Sequence, residues 1–161
     1  MAAADIDSRK PPAAGEYTLR RAERRDALAI RWLVYRAGIN PLSLDWRRFW
    51  VASAPRARVV ACGQIKSHRD GSRELASIAV SPEHRGRGLA RAVIEQLLVL
   101  EDGPLYLTCR PHLRGLYEKF GFEILADPEE MPAYFRAVWK LARRVGRILP
   151  RFGGLLVMRR G

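Results

Sequence analysis

The ten residues Ser81-Pro82-Glu83-His84-Arg85-Gly86-Arg87-Gly88-Leu89-Ala90 join an apolar run that ends at Val80 to a pattern of helical spacing that continues to Leu100. They read as the end of a strand, a glycine-opened turn and a helix N-terminus. Glycines let a backbone approach a ligand closely, and the first N–H groups of a helix lack intrahelical acceptors and sit at the positive end of its dipole. The guest that suits such a turn is an anion, a phosphate or a pyrophosphate. Spacing separates the loops of this type: neither the dinucleotide fingerprint G-x-G-x-x-G nor the triphosphate loop G-x-x-x-x-G-K-[ST] is present.

The flanking segments extend the pattern. Tyr17 to Ala22 alternates as a strand, and Asp26 to Ala37 places Leu28, Ile30, Leu33 and Val34 at helical spacing before Gly38. A loop from Ile39 to Leu44 follows, and Asp45 caps a short turn ahead of a second strand, Phe49 to Ala52. Pro55 to Ala57 connects to a third strand, Arg58 to His68, and Arg69-Asp70-Gly71-Ser72 is a hairpin turn into the fourth. Leu89 to Leu100 carries Leu89, Ala92, Val93, Gln96, Leu97 and Leu100 on one helical face, with Arg91 and Glu95 as an i,i+4 pair on the other. A buried strand Leu105 to Cys109, a helix Pro111 to Phe120 ended by Gly121, and a strand Phe122 to Leu125 complete this part. The crossover helix makes the strands on either side of it parallel.

Two motifs in this order identify a relative. Arg85-x-x-Gly88-x-Ala90 resembles the R/Q-x-x-G-x-G/A loop with which the GNAT superfamily of N-acetyltransferases holds the pyrophosphate of coenzyme A. Upstream, Glu74 to Val80 (ELASIAV) is similar to the family's fourth strand, and Leu116-Tyr117-Glu118-Lys119-Phe120-Gly121-Phe122 resembles its L-Y-x-K-x-G-F signature. The likeness covers Glu16 to Leu125 and a closing strand at Leu155 to Arg160. It implies an α/β (α+β) GNAT fold: a mixed, mostly antiparallel, twisted sheet of about seven strands with about four flanking helices, its fourth and fifth strands parted to admit the cofactor. The chain departs from the family where Arg110, Pro111 and His112 stand in place of an asparagine that often precedes the tyrosine.

Between Met131 and Leu149 lies the least family-like segment, an additional basic amphipathic helix before the last strand. Tyr134, Phe135, Val138, Trp139, Leu141, Val145 and Ile148 line one side, and Arg136, Lys140, Arg143, Arg144 and Arg147 the other. It reads either as a helix packing its apolar stripe on the sheet, or as a lid, a partner surface or an element lying on an anionic membrane.

Composition bounds the rest. With 161 residues, 48% hydrophobic and 29% charged, the chain suits one domain, 16–161, behind a flexible leader, 1–15, that lacks the apolar core of a secretory signal. No apolar run approaches the roughly 20 residues that span a bilayer, and a cytoplasmic protein is expected. The net charge of +12 raises nucleic acid as a partner, yet only four of the 29 basic residues are lysines and the basic residues are spread along the chain apart from a concentration between Arg136 and Arg151, so nucleic-acid binding is not expected as the main role. Cys62 and Cys109 sit in apolar strands without C-x-x-C spacing and read as buried thiols. His68, His84 and His112 are isolated in sequence, and no metal site is expected.

The resemblance implies the chemistry: transfer of an acetyl group from acetyl-CoA to a primary amine by direct attack in a ternary complex. An amine of pKa near 10 must lose a proton before it attacks. Glu74 falls where family members often carry a carboxylate base acting through water, against the alternative of a strand-end charge facing solvent; Glu123 is a second choice. Backbone N–H groups of Ile78, Ala79 and Val80 would pair with pantetheine amides and supply an oxyanion donor. Arg85, Gly86, Arg87, Gly88, Leu89 and Ala90 would cradle the pyrophosphate, and Tyr117 would protonate the departing thiolate. The acceptor the resemblance implies is a small-molecule or peptide amine, whose pocket would be built by Ile30 to Trp50 and the segment after Asp127, where Trp32, Tyr35, Trp46 and Trp50 are either walls or core. A homodimer is compatible with this reading. The alternative function is a non-catalytic acyl-CoA sensor or partner-binding module that uses the basic helix 131–149.

Overall fold

The computed structural model describes residues 16–39, 43–148 and 154–161. The leader 1–15, the loop centre Asn40 to Leu42 and the expected helix end at Leu149 lie outside the described residues. Seven strands, β1 (Thr18–Arg21), β2 (Phe49–Ala54), β3 (Arg58–Ser67), β4 (Arg73–Val80), β5 (Leu105–Cys109), β6 (Glu123–Ile124) and β7 (Leu156–Arg160), form one mixed sheet in the order β1-β2-β3-β4-β5-β7-β6. Four α-helices accompany them: α1 (Ala27–Arg36), α2 (Leu89–Leu98), α3 (Arg114–Glu118) and α4 (Ala133–Ile148).

The chain divides into two compact units. One comprises the described residues up to Ile65 together with Leu75–Asp102. Here β1 and β2 pair antiparallel from Thr18↔Ser53 to Arg21↔Trp50, and β2 and β3 from Phe49↔Gln64 to Ala54↔Arg58, with a register shift at Ala52/Ser53. Ile30, Leu33 and Val34 of α1 bury against Phe49, Val51, Cys62 and Ala79. Leu28, which shares their helical spacing, is instead 80% exposed, because a ten-residue helix on one sheet face buries only a narrow stripe. Helix α2 packs on β2 and buries Leu89, Ala90, Val93, Ile94 and Leu97. The buried face is therefore turned toward Ala90 and Ile94 from the one expected, and Leu100 lies beyond the last helical turn and is exposed. Gly63 permits this close packing: a Cβ there would lie 2.5 Å from Ile78 Cδ1 and 2.8 Å from Val93 Cγ1.

The second unit comprises Lys66–Glu74 and Gly103–Gly161. Strand β5 pairs antiparallel with β7 from Leu105↔Arg160 to Cys109↔Leu156, and β6 joins β7 through Glu123↔Arg159 and Ile124↔Met158. The start of β4 joins β5 in parallel through Arg73↔Leu105 and Glu74↔Tyr106, as a crossover helix requires. The expected ten-residue helix after Pro111 is shorter: a 3-10 turn at Pro111–Leu113 leads into only five α-helical residues. The first turn of α4 contributes one residue, Phe135, to the core. Phe135, fully buried, packs with Met131, Val157, Tyr106, Leu125 and Trp139, and its burial is worth about 1.5–3 kcal/mol. The packing reading of this helix holds for that turn, whereas Leu141, two turns on, is 62% exposed.

Candidate active site

In the first unit the turn after β4 is held by a hydrogen-bonded chain. Ser81 N–H donates to Val60 O at 2.8 Å, and a 3-10 turn at Pro82–His84 follows. Burial, followed by the charges of Arg58 and Arg87, holds His84 below the usual imidazole range, so the ring is neutral near pH 7. Arg58 can only donate, which makes His84 Nε2 the acceptor (3.4 Å) and Nδ1 the donor to Ser81 Oγ (2.8 Å); Ser81 O–H in turn donates to Glu83 Oε2 at 2.9 Å. His84, isolated in sequence, is thus a prop for the turn, with Tyr17 edge-on to its ring.

Beyond this prop, Gly86 and Gly88 both adopt the left-handed conformation, at φ +72° and +73°. Either position would cost another residue type about 1–2 kcal/mol. Gly88 caps α2 without offering a side-chain acceptor, so the first-turn N–H groups of the helix receive no capping side chain. Arg85 Nε is buried and makes no hydrogen bond, and a Cβ on Gly86 would meet nothing within 4 Å. An orphaned guanidinium donor, uncapped helix amides and an open backbone approach fit a bound diphosphate. Arg87 is engaged elsewhere as well: its Nη1 donates to Glu16 Oε1 at 2.6 Å and Tyr17 Oη at 3.0 Å.

Strand β4 carries an irregularity just before Ile78, Ala79 and Val80. Ser77 has φ +57°, left-handed for a residue with a side chain. Two buried groups on β3 hold it: Gln64 Nε2 donates to Ser77 Oγ at 3.0 Å, and Cys62 Sγ lies 3.7 Å from Ser77 O. Burial pushes the Cys62 thiol up to about 12, which makes it an inert packing group. All three residues after the irregularity are buried.

In the second unit, Glu74 is 7% exposed, which removes the solvent-facing reading. Its Oε2 lies 3.0 Å from His68 Nε2. The His68 ring stacks on Tyr134 at 3.5 Å between centroids and 15° between planes, and meets Phe135 edge-on. Asp70 closes the hairpin turn by accepting from Ser72 N–H and O–H, and its other oxygen accepts from Tyr134 N–H in the first turn of α4. Those donors pull the Asp70 carboxyl down to about 2. His68 is the residue that spacing alone does not reveal. The signal available for it was the hairpin turn Arg69–Ser72, which brings the residues flanking it together.

Tyr117 lies on α3, buried beside Phe122, with its carbonyl accepting from Phe122 N–H at 3.2 Å. Burial raises its phenol far above the usual range, and Cys109, itself pushed up to about 11, adds to the rise. The phenol is therefore protonated throughout the working pH range. Glu123 is exposed on β6. Trp32 and Tyr35 stack on each other on the outer face of α1, exposed, whereas Trp46 packs on the core beneath that helix. Among the described residues no cluster of His, Cys, Asp or Glu could hold a metal ion, and no helix is long and apolar enough to cross a membrane.

The family model described as an acetyltransferase (GNAT) domain matches residues 45–124, which include β4, the turn, α2 and the Tyr117 helix. The chain belongs to the GNAT superfamily. No protein of curated function matches it significantly in sequence. Among solved GNAT-like structures, a Mycobacterium tuberculosis protein in complex with CoA superposes with TM-score 0.67 at 23% identity, covering 89% of this chain and 98% of its own. An acetyltransferase from Streptococcus agalactiae gives 0.63 at 16% identity, covering 91% and 98%. N-acetylglutamate synthase from Neisseria gonorrhoeae, complexed with coenzyme A and L-arginine, gives 0.68 at 16% identity; the match covers 89% of this chain and only 32% of the synthase. At these identities the likeness establishes the GNAT fold, which agrees with the sheet order and helix placement described above.

Proposed function

We propose that this GNAT protein is an acetyl-CoA-dependent N-acetyltransferase that acetylates a primary amine of a small-molecule or peptide acceptor by direct attack in a ternary complex. One observation carries the reading: the turn Arg85 to Ala90, with two left-handed glycines, a helix start without a side-chain cap and an unpartnered buried Arg85 Nε. Acetyl-CoA supplies an activated acyl group on a thiol of pKa near 8.5, a tolerable leaving group. The main-chain amides from Gly86 to Ala90, with Arg85 and Arg87, hold its diphosphate. N–H groups of Ile78, Ala79 and Val80 pair with the pantetheine arm and with the developing oxyanion. Glu74 accepts the proton that the amine must lose, through water where the distance requires it. Tyr117, neutral because it is buried, donates a proton to the leaving sulfur. A cytoplasmic setting goes with this reading.

Two measurements test it. Titration calorimetry with acetyl-CoA should give saturable binding, and its absence at millimolar ligand counts against the reading. Tyr117→Phe should lower kcat about 10- to 100-fold and leave acetyl-CoA affinity unchanged; unchanged kcat removes Tyr117 from the reaction. A second reading, a non-catalytic acyl-CoA-binding module, draws on α4, whose outer turns carry Arg143, Arg144, Arg147 and the exposed Leu141. Binding without turnover across a broad amine panel selects it.

A further inference from the structure

A carboxylate that is to receive a proton needs one oxygen free and a fixed orientation, and both properties of Glu74 depend on a residue outside the motifs. His68 ends the β3 side of the hairpin, where its own N–H donates to Ser72 O at 2.9 Å. Its imidazole and the Glu74 carboxylate are both nearly excluded from solvent, with side chains 12% and 10% exposed. An ionised carboxylate so desolvated must be hydrogen-bonded, and the His68 contact is the bond on Oε2.

We propose that His68 is a positioning residue for Glu74: Nε2–H donates to Oε2, fixes the plane of the carboxylate and leaves Oε1 as the oxygen that takes the acceptor's proton. This rests on the reading of Glu74 as the base. The tautomer follows from the partner, since a carboxylate only accepts and the nitrogen facing it must carry hydrogen. In the transfer an N–H bond of the amine, or an O–H bond of an intervening water, breaks and an O–H bond forms at Oε1. The Nε2–H bond of His68 is kept throughout, and the proton afterwards passes to solvent.

The ring itself is locked. Tyr134 covers one face at 3.5 Å and Phe135 abuts it at 5.7 Å, and Tyr134 is anchored by its own N–H to Asp70 Oδ2 at 2.8 Å. Among the charged and titratable groups facing His68 are Glu74 from β4, Asp70 from the turn and the Tyr134 phenol from α4; burial keeps that phenol protonated. A connected set thus runs from Asp70 through the first turn of α4 to Tyr134, His68 and Glu74. It gives α4, the segment least like the family in sequence, a task at the base.

The test uses the full-length protein with acetyl-CoA and an amine that the wild type acetylates, and compares His68→Ala, His68→Gln and Glu74→Gln. His68→Ala should lower kcat about 10- to 100-fold, the effect of misplacing a reacting group by an ångström or less, with the KM for acetyl-CoA within twofold. His68→Gln keeps an N–H donor at similar reach and should recover kcat to within about fivefold of wild type. Nitrogen-15 spectra of the histidine rings at pH 8 should show His68 protonated on Nε2 in the wild type, and a mixture of tautomers in Glu74→Gln. Wild-type kcat in a folded His68→Ala variant, alongside an inactive Glu74→Gln, overturns this proposal and leaves the base reading intact. Full activity in Glu74→Gln overturns the base reading and this proposal with it. If His68→Ala does not fold, failure of His68→Gln to retain activity, or a His68 ring protonated on Nδ1, is the refuting result.

Discussion

Replacing Gly86 with alanine separates the ligand role of the turn from its structural role. At φ +72° an alanine pays left-handed strain of about 1–2 kcal/mol, and because its Cβ meets nothing within 4 Å no clash adds to this. For a chain of this size that corresponds to a melting temperature lower by roughly 2–8 °C. If the amides from Gly86 to Ala90 converge on a diphosphate, loss of even one charge-assisted hydrogen bond costs about 1.5–3 kcal/mol, or about 10- to 150-fold in Kd. Gly38 is the matched control: it lies at φ +69° at the end of α1, and a Cβ there would likewise meet nothing within 4 Å. Differential scanning fluorimetry and calorimetry with CoA on Gly86→Ala and Gly38→Ala give both quantities. Equal losses of stability with a large loss of affinity only at Gly86 are expected. Equal stability losses with wild-type affinity in both variants refute the cradle.

Three other outcomes follow from named contacts. Gly63→Ala should destabilise by about 1–3 kcal/mol in urea unfolding, because its Cβ would press on the packed ends of Ile78, Val93 and Leu97. Gln64→Leu removes the donor that holds Ser77 Oγ against its left-handed backbone; we expect kcat to fall at least tenfold with a smaller change in acetyl-CoA affinity, and an unchanged kcat separates this strand irregularity from catalysis. Asp26 is buried and takes two bonds from Arg20, at 2.7 and 3.0 Å, and one from Glu23 N–H, which hold its carboxyl below the ordinary range. A carboxyl lowered in the folded state contributes stability that is present above its unfolded pKa, near pH 4. That stability should be lost as pH falls below 4, and Arg20→Ala should flatten this part of the stability profile.

The elements legible in sequence are those with a local cause. Turn glycines, the Asp45 cap and the Asp70-Gly71 hairpin each act within a few residues, and each is found where it was read. The turn Arg85 to Ala90 has the same local cause, since Gly86 and Gly88 are its two left-handed positions. Tertiary packing has no such local cause. Leu28 and Leu100 have helical spacing suited to a core, yet where each helix meets the sheet leaves them outside. Ser77 carries no composition signal for a positive φ; its conformation depends on Gln64 and Cys62 from the neighbouring strand. His68 and Glu74 become partners only once the hairpin closes and α4 lays Tyr134 over the ring.

The central claim, that the amides from Gly86 to Ala90 hold a diphosphate, is tested most directly by amide proton and nitrogen-15 shifts during titration with CoA, ADP and pantetheine. We expect the amide resonances of Gly86, Arg87, Gly88, Leu89 and Ala90 to move with CoA and with ADP and to stay in place with pantetheine. Saturation with CoA that leaves these five amides unmoved contradicts the account.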